Sequence, residues 1–155
     1  MRRLHSYLPA AVRIYLGLVW FTYGESKIDP SWAGGKQYFL SAVRDSESST
    51  GEPFRSFLAH VVVPHQQIFA ELIAYGETLV GIALIAGLLI RPASLAGMFL
   101  ALNYYFMTGK YLSHFGVESL ELMLFVLCAI VLTTKEASVA SLDNVIKRRR
   151  STRGS

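Results

Sequence analysis

The stretch from Phe69 to Ile90, FAELIAYGETLVGIALIAGLLI, decides the fold of this 155-residue chain. After Arg91-Pro92 a second apolar run continues to Met107. A helix needs about 20 mostly apolar residues to cross a bilayer at a rise of 1.5 Å per residue. The two runs therefore predict two membrane helices, joined by a tight turn at Arg91-Pro92.

The composition agrees with a membrane protein. Hydrophobic residues make up 52% of the chain and charged residues 17%, and the mean hydropathy is +0.37, which is too apolar for an ordinary soluble domain. The net charge is +4, but five of the 15 basic residues lie in the last nine positions, with no aromatic residues between them. That pattern indicates a lipid-facing tail and argues against nucleic-acid binding.

Two further apolar runs complete the predicted architecture. We expect four helices, at about 9–28, 68–90, 92–111 and 117–134, with Pro9 in the first turn of the first helix. The fold class predicted is therefore an all-α, integral membrane four-helix bundle, with one domain over residues 1–134 and a basic cytoplasmic tail over 135–155. The polar connection between the first two helices is predicted to be a long outward loop that carries two short amphipathic helices, KQYFLSAVR and PFRSFLAHVVV.

The orientation follows from the distribution of Lys and Arg between the two sides of the predicted bundle. Nine basic residues lie on the side of the termini and four on the other side. We therefore predict that both termini are cytoplasmic and that the protein is a multi-pass protein of the inner (plasma) membrane. The nine are Arg2, Arg3, Arg91, Lys135, Lys147, Arg148, Arg149, Arg150 and Arg153, and the four are Lys36, Arg44, Arg55 and Lys110.

A stripe of residues along the first helix is predicted to face the other helices. Arg13, Gly17, Trp20 and Gly24 recur at helical spacing, so they share one face. The small glycines would allow a neighbouring helix to approach closely.

Polar side chains in the apolar runs are the candidate ligand or proton-relay residues. Glu77 and Asn103 are predicted to lie at the same depth, near the bilayer midplane, where a carboxylate is costly and faces protein rather than lipid. Arg13 is expected to reach Glu77 with its long side chain. This contact can be read as a ligand site or as an ion pair that fixes helix register. Trp20 and Tyr104 can stack on a planar ring or serve as packing.

A second group of charged residues is predicted nearer the outer surface. Glu25, Lys27, Glu71 and Glu121 fall close to helix ends and would form an outer polar cluster. Together with the midplane residues they would suit a proton path or a headgroup pocket, and the alternative interpretation is solvated helix ends.

No metal site and no catalytic residue are predicted. The spacing of His60 and His65, with Pro64 between them, is weak evidence for a metal site. The single cysteine, Cys128, excludes a multi-cysteine metal site.

The order LGLVWFTYGESKI, a long connection, ELIAYGETLVGIALIAGLLIRPASLAGMFLALNYYF and a fourth helix resembles the DoxX/DoxD family of small four-helix membrane proteins. The pieces that carry the resemblance are G-x-x-K at 24–27, Gly76-Glu77, and GLLIRPA at 87–93. It covers about residues 13–134.

The resemblance implies a membrane subunit of a quinone-linked oxidoreductase that acts on sulfur compounds, as in thiosulfate:quinone oxidoreductase. It implies the bilayer, a non-covalently bound quinone and a peripheral redox protein as partners, and it leaves homo-oligomerisation and catalysis by the chain itself open. The alternative is a non-catalytic membrane partner or scaffold for a peripheral redox or envelope complex.

Overall fold

The computed structural model describes residues 2–28, 41, 43–46, 50–107, 119–134 and 141–142. Every regular element in these ranges is helical, which confirms the all-α prediction for this part of the chain. The helices are α1 (Arg2–Ile28), α2 (Glu52–Phe57), α3 (Gln66–Ala86), α4 (Ile90–Met107) and α5 (Leu120–Thr133).

Helix α1 begins seven residues before the predicted start. It runs from Arg2 and carries Pro9 inside it. Proline holds φ near the helical value, but inside a helix it removes one hydrogen bond and its ring crowds the carbonyl four residues earlier, so Pro9 weakens the first turns of α1.

Helix α2 is not the separate amphipathic helix that the sequence predicted. A π-helical turn, Leu58–Val62, and a 3-10 turn, Val63–His65, join it directly to α3. The residues at the first two junctions, Leu58 and Val63, keep right-handed helical dihedral angles. At the third junction His65 departs from them, with φ of −117° and ψ of 27°. Most of the other predicted amphipathic helix, KQYFLSAVR, lies outside the described residues.

Helix α3 ends at Ala86, four residues earlier than predicted, because Gly87 adopts a left-handed conformation with φ of 66°. The N–H of Gly87 bonds the carbonyl of Leu84 at 3.2 Å, and that of Leu88 bonds the carbonyl of Ala83 at 2.9 Å. This is the Schellman arrangement, which favours glycine at the left-handed position. The turn between α3 and α4 is therefore at 87–89, and the predicted turn at Arg91-Pro92 is wrong.

The long helices α1, α3, α4 and α5 pack around a common core. Helix α1 packs on α3, α4 on α5, and the contacts α3–α4 and α1–α5 complete the arrangement. The fully buried centre includes one tryptophan and one thiol. Its members are Leu16, Trp20, Val80, Leu84, Ile90, Ala93, Ala101, Leu124, Cys128 and Val131.

Glycines set the distance between α1 and α3. A Cβ added at Gly17 would lie 2.8 Å from the backbone nitrogen of Ile85, and one at Gly24 would overlap the backbone nitrogen of Thr78. The predicted close approach at Gly17 and Gly24 is confirmed, and Arg13 and Trp20 of the same stripe are buried too.

The four long helices differ in length and in how apolar they are. Among the described residues, the continuous helical stretch Glu52–Ala86 is the one long and apolar enough to cross a bilayer, and Leu120–Thr133 is apolar but shorter. All four long helices nevertheless turn large apolar side chains outward. Examples are Tyr15 and Leu18 of α1, Leu72 and Leu79 of α3, Leu95 and Phe99 of α4, and Met123 and Ile130 of α5.

Candidate functional site

A cavity of about 390 Å³ lies between α1, α3, α4 and α5. It occupies the part of the bundle remote from the turn at 87–89, near the last turn of α1 and the first turn of α5. Its wall combines charged, aromatic and aliphatic side chains. They are Trp20, Tyr23, Ser26, Lys27, Glu77, Ala101, Tyr104, Leu120, Glu121 and Leu124.

Three polar side chains from three helices form a closed network in this wall. The Lys27 ammonium lies 2.5 Å from Oε2 of Glu77, and the Tyr104 hydroxyl donates to Oε1 of the same carboxylate at 2.6 Å. Lys27 also donates to the Tyr104 hydroxyl oxygen at 3.0 Å. Each member contacts the other two, so α1, α3 and α4 are tied together at one level. We call these residues the Lys27–Glu77–Tyr104 triad.

The triad is shielded from solvent. The Glu77 side chain is 1% exposed and that of Lys27 is 15% exposed. Charges removed from water are stable only when they are paired and hydrogen-bonded, and both oxygens of Glu77 have a donor.

The position of Lys27 follows from its place in α1. It lies in the last turn of the helix, where the helix dipole favours a cation. The ammonium is 5.8 Å from the ring centroid of Tyr23, one turn earlier on α1, and 5.2 Å from that of Tyr104. Both distances are within the range of cation–π attraction.

The donors of the triad are not all used. A lysine ammonium has three N–H groups, and among the described residues Lys27 makes two hydrogen bonds, to Glu77 and to Tyr104. Within the described part of the chain, the third N–H therefore has no acceptor. The carboxyl group of Glu121 stands in the same wall.

The predicted contact between Arg13 and Glu77 is wrong. The Arg13 side chain is fully buried, but its Nη1 lies against Gly87, at 2.6 Å from where a Cβ would stand. Gly87 follows Glu77 by ten residues, about 15 Å along the helix axis. The antiparallel register of α1 on α3, in which Gly24 faces Thr78, brings Lys27 to the level of Glu77 and sets Arg13 at the turn.

Asn103 lies next to Tyr104 in the chain but does not line this cavity. Its Nδ2 donates to the carbonyl of Phe99, four residues earlier in α4, at 2.7 Å. Adjacent helical residues point about 100° apart, so Tyr104 faces the triad and Asn103 faces the groove between α3 and α4. The Asn103 amide, a predicted ligand candidate, thus does not line the cavity that contains Glu77.

The predicted outer polar cluster divides into two parts. Lys27 and Glu121 line the cavity, whereas Glu25 and Glu71 are exposed. Glu71 accepts a hydrogen bond of 3.3 Å from Gln67, one turn earlier in α3. Of the stacking candidates, both Trp20 and Tyr104 line the cavity.

Two cavity residues on α1 were missed by the sequence reasoning. Tyr23 and Ser26 stand in the wall beside Lys27. The signal for Tyr23 was present, because Trp20, Tyr23 and Lys27 occur at positions i, i+3 and i+7 and so share one helix face.

His60 and His65 are each within hydrogen-bonding distance of a backbone carbonyl one turn earlier. Nδ1 of His60 is 2.9 Å from the carbonyl of Ser56, and Nδ1 of His65 is 3.1 Å from that of Val61. Among the residues that the structure describes, no group of three or more His, Cys, Asp and Glu is placed to hold a metal ion.

Comparison with known proteins gives one match. The family model DoxX matches residues 8–110, which include most of α1 and all of α2, α3 and α4. Four of the five charged or phenolic residues of the cavity lie in this range, namely Tyr23, Lys27, Glu77 and Tyr104. No curated protein and no solved structure matches the chain.

Proposed function

Since the chain belongs to the DoxX family, which indicates a membrane protein, we propose that it is a four-helix, multi-pass membrane protein whose cavity binds the head of a quinone or a similar planar amphiphile. The observation that carries the proposal is the buried Lys27–Glu77–Tyr104 triad in the wall of a cavity of about 390 Å³. Cavities of this size are typical of small-molecule sites.

The outward faces of the helices support the membrane part of the proposal. Large exposed apolar side chains on all four long helices would be unfavourable in water and suit lipid. In α3 they recur at Ile68, Leu72, Tyr75, Leu79 and Ile82, a continuous stripe at helical spacing. A two-sided arrangement, with core on one face and lipid on the other, explains this pattern.

The first test concerns topology. The excess of basic residues, nine against four, is expected to keep both termini in the cytoplasm. A reporter that works only in the cytoplasm should then be active after Ser155. A reporter that works only after export should be active when inserted at residues 45–51. Matched cytoplasmic and exported reporters at both sites provide the control. An active exported reporter after Ser155 would contradict the orientation.

The cavity fits the chemistry of a quinone head. A quinone ring is planar and apolar on both faces, with carbonyl oxygens at its edge that accept hydrogen bonds. The exposed ring of Tyr23 offers a stacking surface. The third N–H of Lys27, which no described residue accepts, offers a donor for one carbonyl.

A bound quinone would supply two-electron, two-proton redox chemistry, with electrons delivered by a peripheral redox protein. The residues of the chain orient the ring and hold protons near it. Tyr104 holds a proton that it shares with Oε1 of Glu77 at 2.6 Å, and Lys27 holds the positive charge that balances the carboxylate. Glu121, in the same wall, is a further carboxyl group that can hold a proton.

The second test removes one hydroxyl. Tyr104→Phe keeps the ring but deletes the acceptor that positions the Lys27 ammonium, so we expect about tenfold weaker binding of a short-chain benzoquinone, equivalent to 1.4 kcal/mol. Binding is followed by quenching of Trp20 fluorescence in purified protein in which Trp32→Phe removes the other tryptophan.

Two neighbours of Tyr104 provide controls. Tyr105→Phe makes the same chemical change at a residue that does not line the cavity, and Asn103→Leu removes an amide bonded to its own helix. Both are expected to leave the affinity unchanged. Quenching that does not saturate in the parent protein would favour the alternative function, a non-catalytic membrane partner.

A further inference from the structure

A second cavity, of about 310 Å³, lies on the other side of Tyr104, between the α2–α3 helix and α4. Its wall is almost entirely apolar. Helix α2 contributes Phe54 and Phe57, α3 contributes Leu72 and Gly76, and α4 contributes Phe99 and Leu100. We call this cavity the apolar groove.

The apolar groove and the triad cavity share one lining residue. Tyr104 lines both, with its hydroxyl bonded to Glu77 and Lys27 on one side. The polar group nearest the groove, the Asn103 amide, donates to the carbonyl of Phe99. The groove therefore offers a ligand no charge, whereas the wall of the triad cavity contains three charged side chains, Lys27, Glu77 and Glu121, and several hydroxyl groups.

Gly76 of α3 lines the groove and presents no side chain to it. A Cβ added there would meet only Leu100 Cδ1, at 3.9 Å, which is ordinary van der Waals contact. This glycine differs from Gly24 and Gly81, where an added Cβ would overlap backbone atoms of the facing helix. Gly76 thus leaves open space beside Glu77 and does not serve close helix packing.

We infer that the apolar groove holds the hydrocarbon tail of the same molecule whose head occupies the triad cavity. The inference rests on the proposed function and extends it to the ligand class, a tailed amphiphile such as an isoprenoid or alkyl quinone. A head held by Lys27 and a tail in the groove would meet at Tyr104. The two cavities have opposite polarity and share this wall, so a single amphiphilic molecule matches both.

The experiment compares a short-chain benzoquinone with the same ring carrying a decyl tail, in one detergent at one concentration. Trp20 quenching is measured in the Trp32→Phe background. The parent protein is expected to bind the tailed compound about tenfold more tightly than the short one. Gly76→Leu is expected to fill the groove without reaching the triad. The affinity for the short compound should stay the same, and the affinity for the tailed compound should fall to within about twofold of it.

The matched control is Ala11→Leu, which adds similar bulk at an exposed position of α1 that lines neither cavity. It is expected to keep the tenfold preference. Detergent partitioning of the tailed compound is the same for all variants, so the difference between them reports the groove.

Three results would overturn the inference. The first is equal affinity of the parent protein for the two compounds, and the second is a tail preference that survives in Gly76→Leu. The third is displacement of the tailed quinone by a phospholipid as effectively as by unlabelled tailed quinone, which would make the groove a general lipid contact. Binding of the short compound alone leaves the proposed function intact, whereas binding of neither overturns both.

Discussion

Lys27→Met is expected to lower the free energy of unfolding by about 3–5 kcal/mol, the usual effect of removing one partner of a buried ion pair. The loss arises because Glu77, whose side chain is 1% exposed, would lose its counter-charge and would bond only the Tyr104 hydroxyl. Glu77→Gln is expected to cost less, because the remaining Lys27 side chain is 15% exposed and can extend toward water. Thermal unfolding in detergent measures both.

The double variant Lys27→Met/Glu77→Gln is expected to recover part of the loss, since it leaves no uncompensated charge. By contrast, the stability losses caused by Arg13→Met and by Glu77→Gln should add within about 0.5 kcal/mol. The Arg13 guanidinium lies at Gly87, far from Glu77. The exposed pair Arg55–Glu52, at 2.7 Å, is the control, and Glu52→Gln there is expected to cost less than about 1 kcal/mol. Additive stability losses for Lys27→Met and Glu77→Gln would contradict the assignment of Lys27 and Glu77 as an ion pair. A non-additive result for Arg13→Met and Glu77→Gln would contradict it as well.

Gly24→Ala is expected to destabilise the protein by about 3 kcal/mol or more, at the upper end of overpacking effects. The added methyl group would overlap the backbone nitrogen of Thr78 and would also lie 2.9 Å from the carbonyl oxygen of Ala74. Backbone atoms of a helix cannot move aside individually, so α1 would have to separate from α3. The same separation would pull Lys27 away from Glu77, and ligand affinity should fall together with stability.

Gly76→Ala is the matched control, a second helical glycine changed in the same way. Its added Cβ meets nothing closer than 3.9 Å, and alanine is favoured over glycine in a helix interior by about 0.5–1 kcal/mol. It is therefore expected to be neutral or stabilising in the same unfolding assay. A similar loss of stability for both variants would show that the close contact at Gly24 is not what destabilises the protein.

Much of the helical architecture follows from the sequence alone. Apolar runs at helical periodicity predicted the four long helices, and the spacing of Arg13, Gly17, Trp20 and Gly24 predicted a buried face on α1, as the structure has it. These properties belong to single helices, where the position of each side chain around the axis depends only on its residue number. The family could be recognised for the same reason, since its motifs are local.

The sequence indicated that α3 ends close to residue 90, but it did not determine which residue ends the helix. The motif GLLIRPA contains both Gly87 and Pro92, and either residue can end a helix. The structure uses Gly87, whose left-handed conformation and two capping hydrogen bonds close the turn. Pro92 instead lies near the beginning of α4, where its missing N–H costs nothing.

Which cation meets Glu77 was decided only by the tertiary structure. Arg13 and Lys27 are both on α1, and sequence periodicity does not fix how far α1 slides along α3. That register is set by the backbone contacts at Gly17 and Gly24, and a shift of one turn would move every facing pair by about 5.4 Å. The buried face, the glycines and Glu77 were thus determined by the sequence, whereas the triad depends on the register of one helix against another.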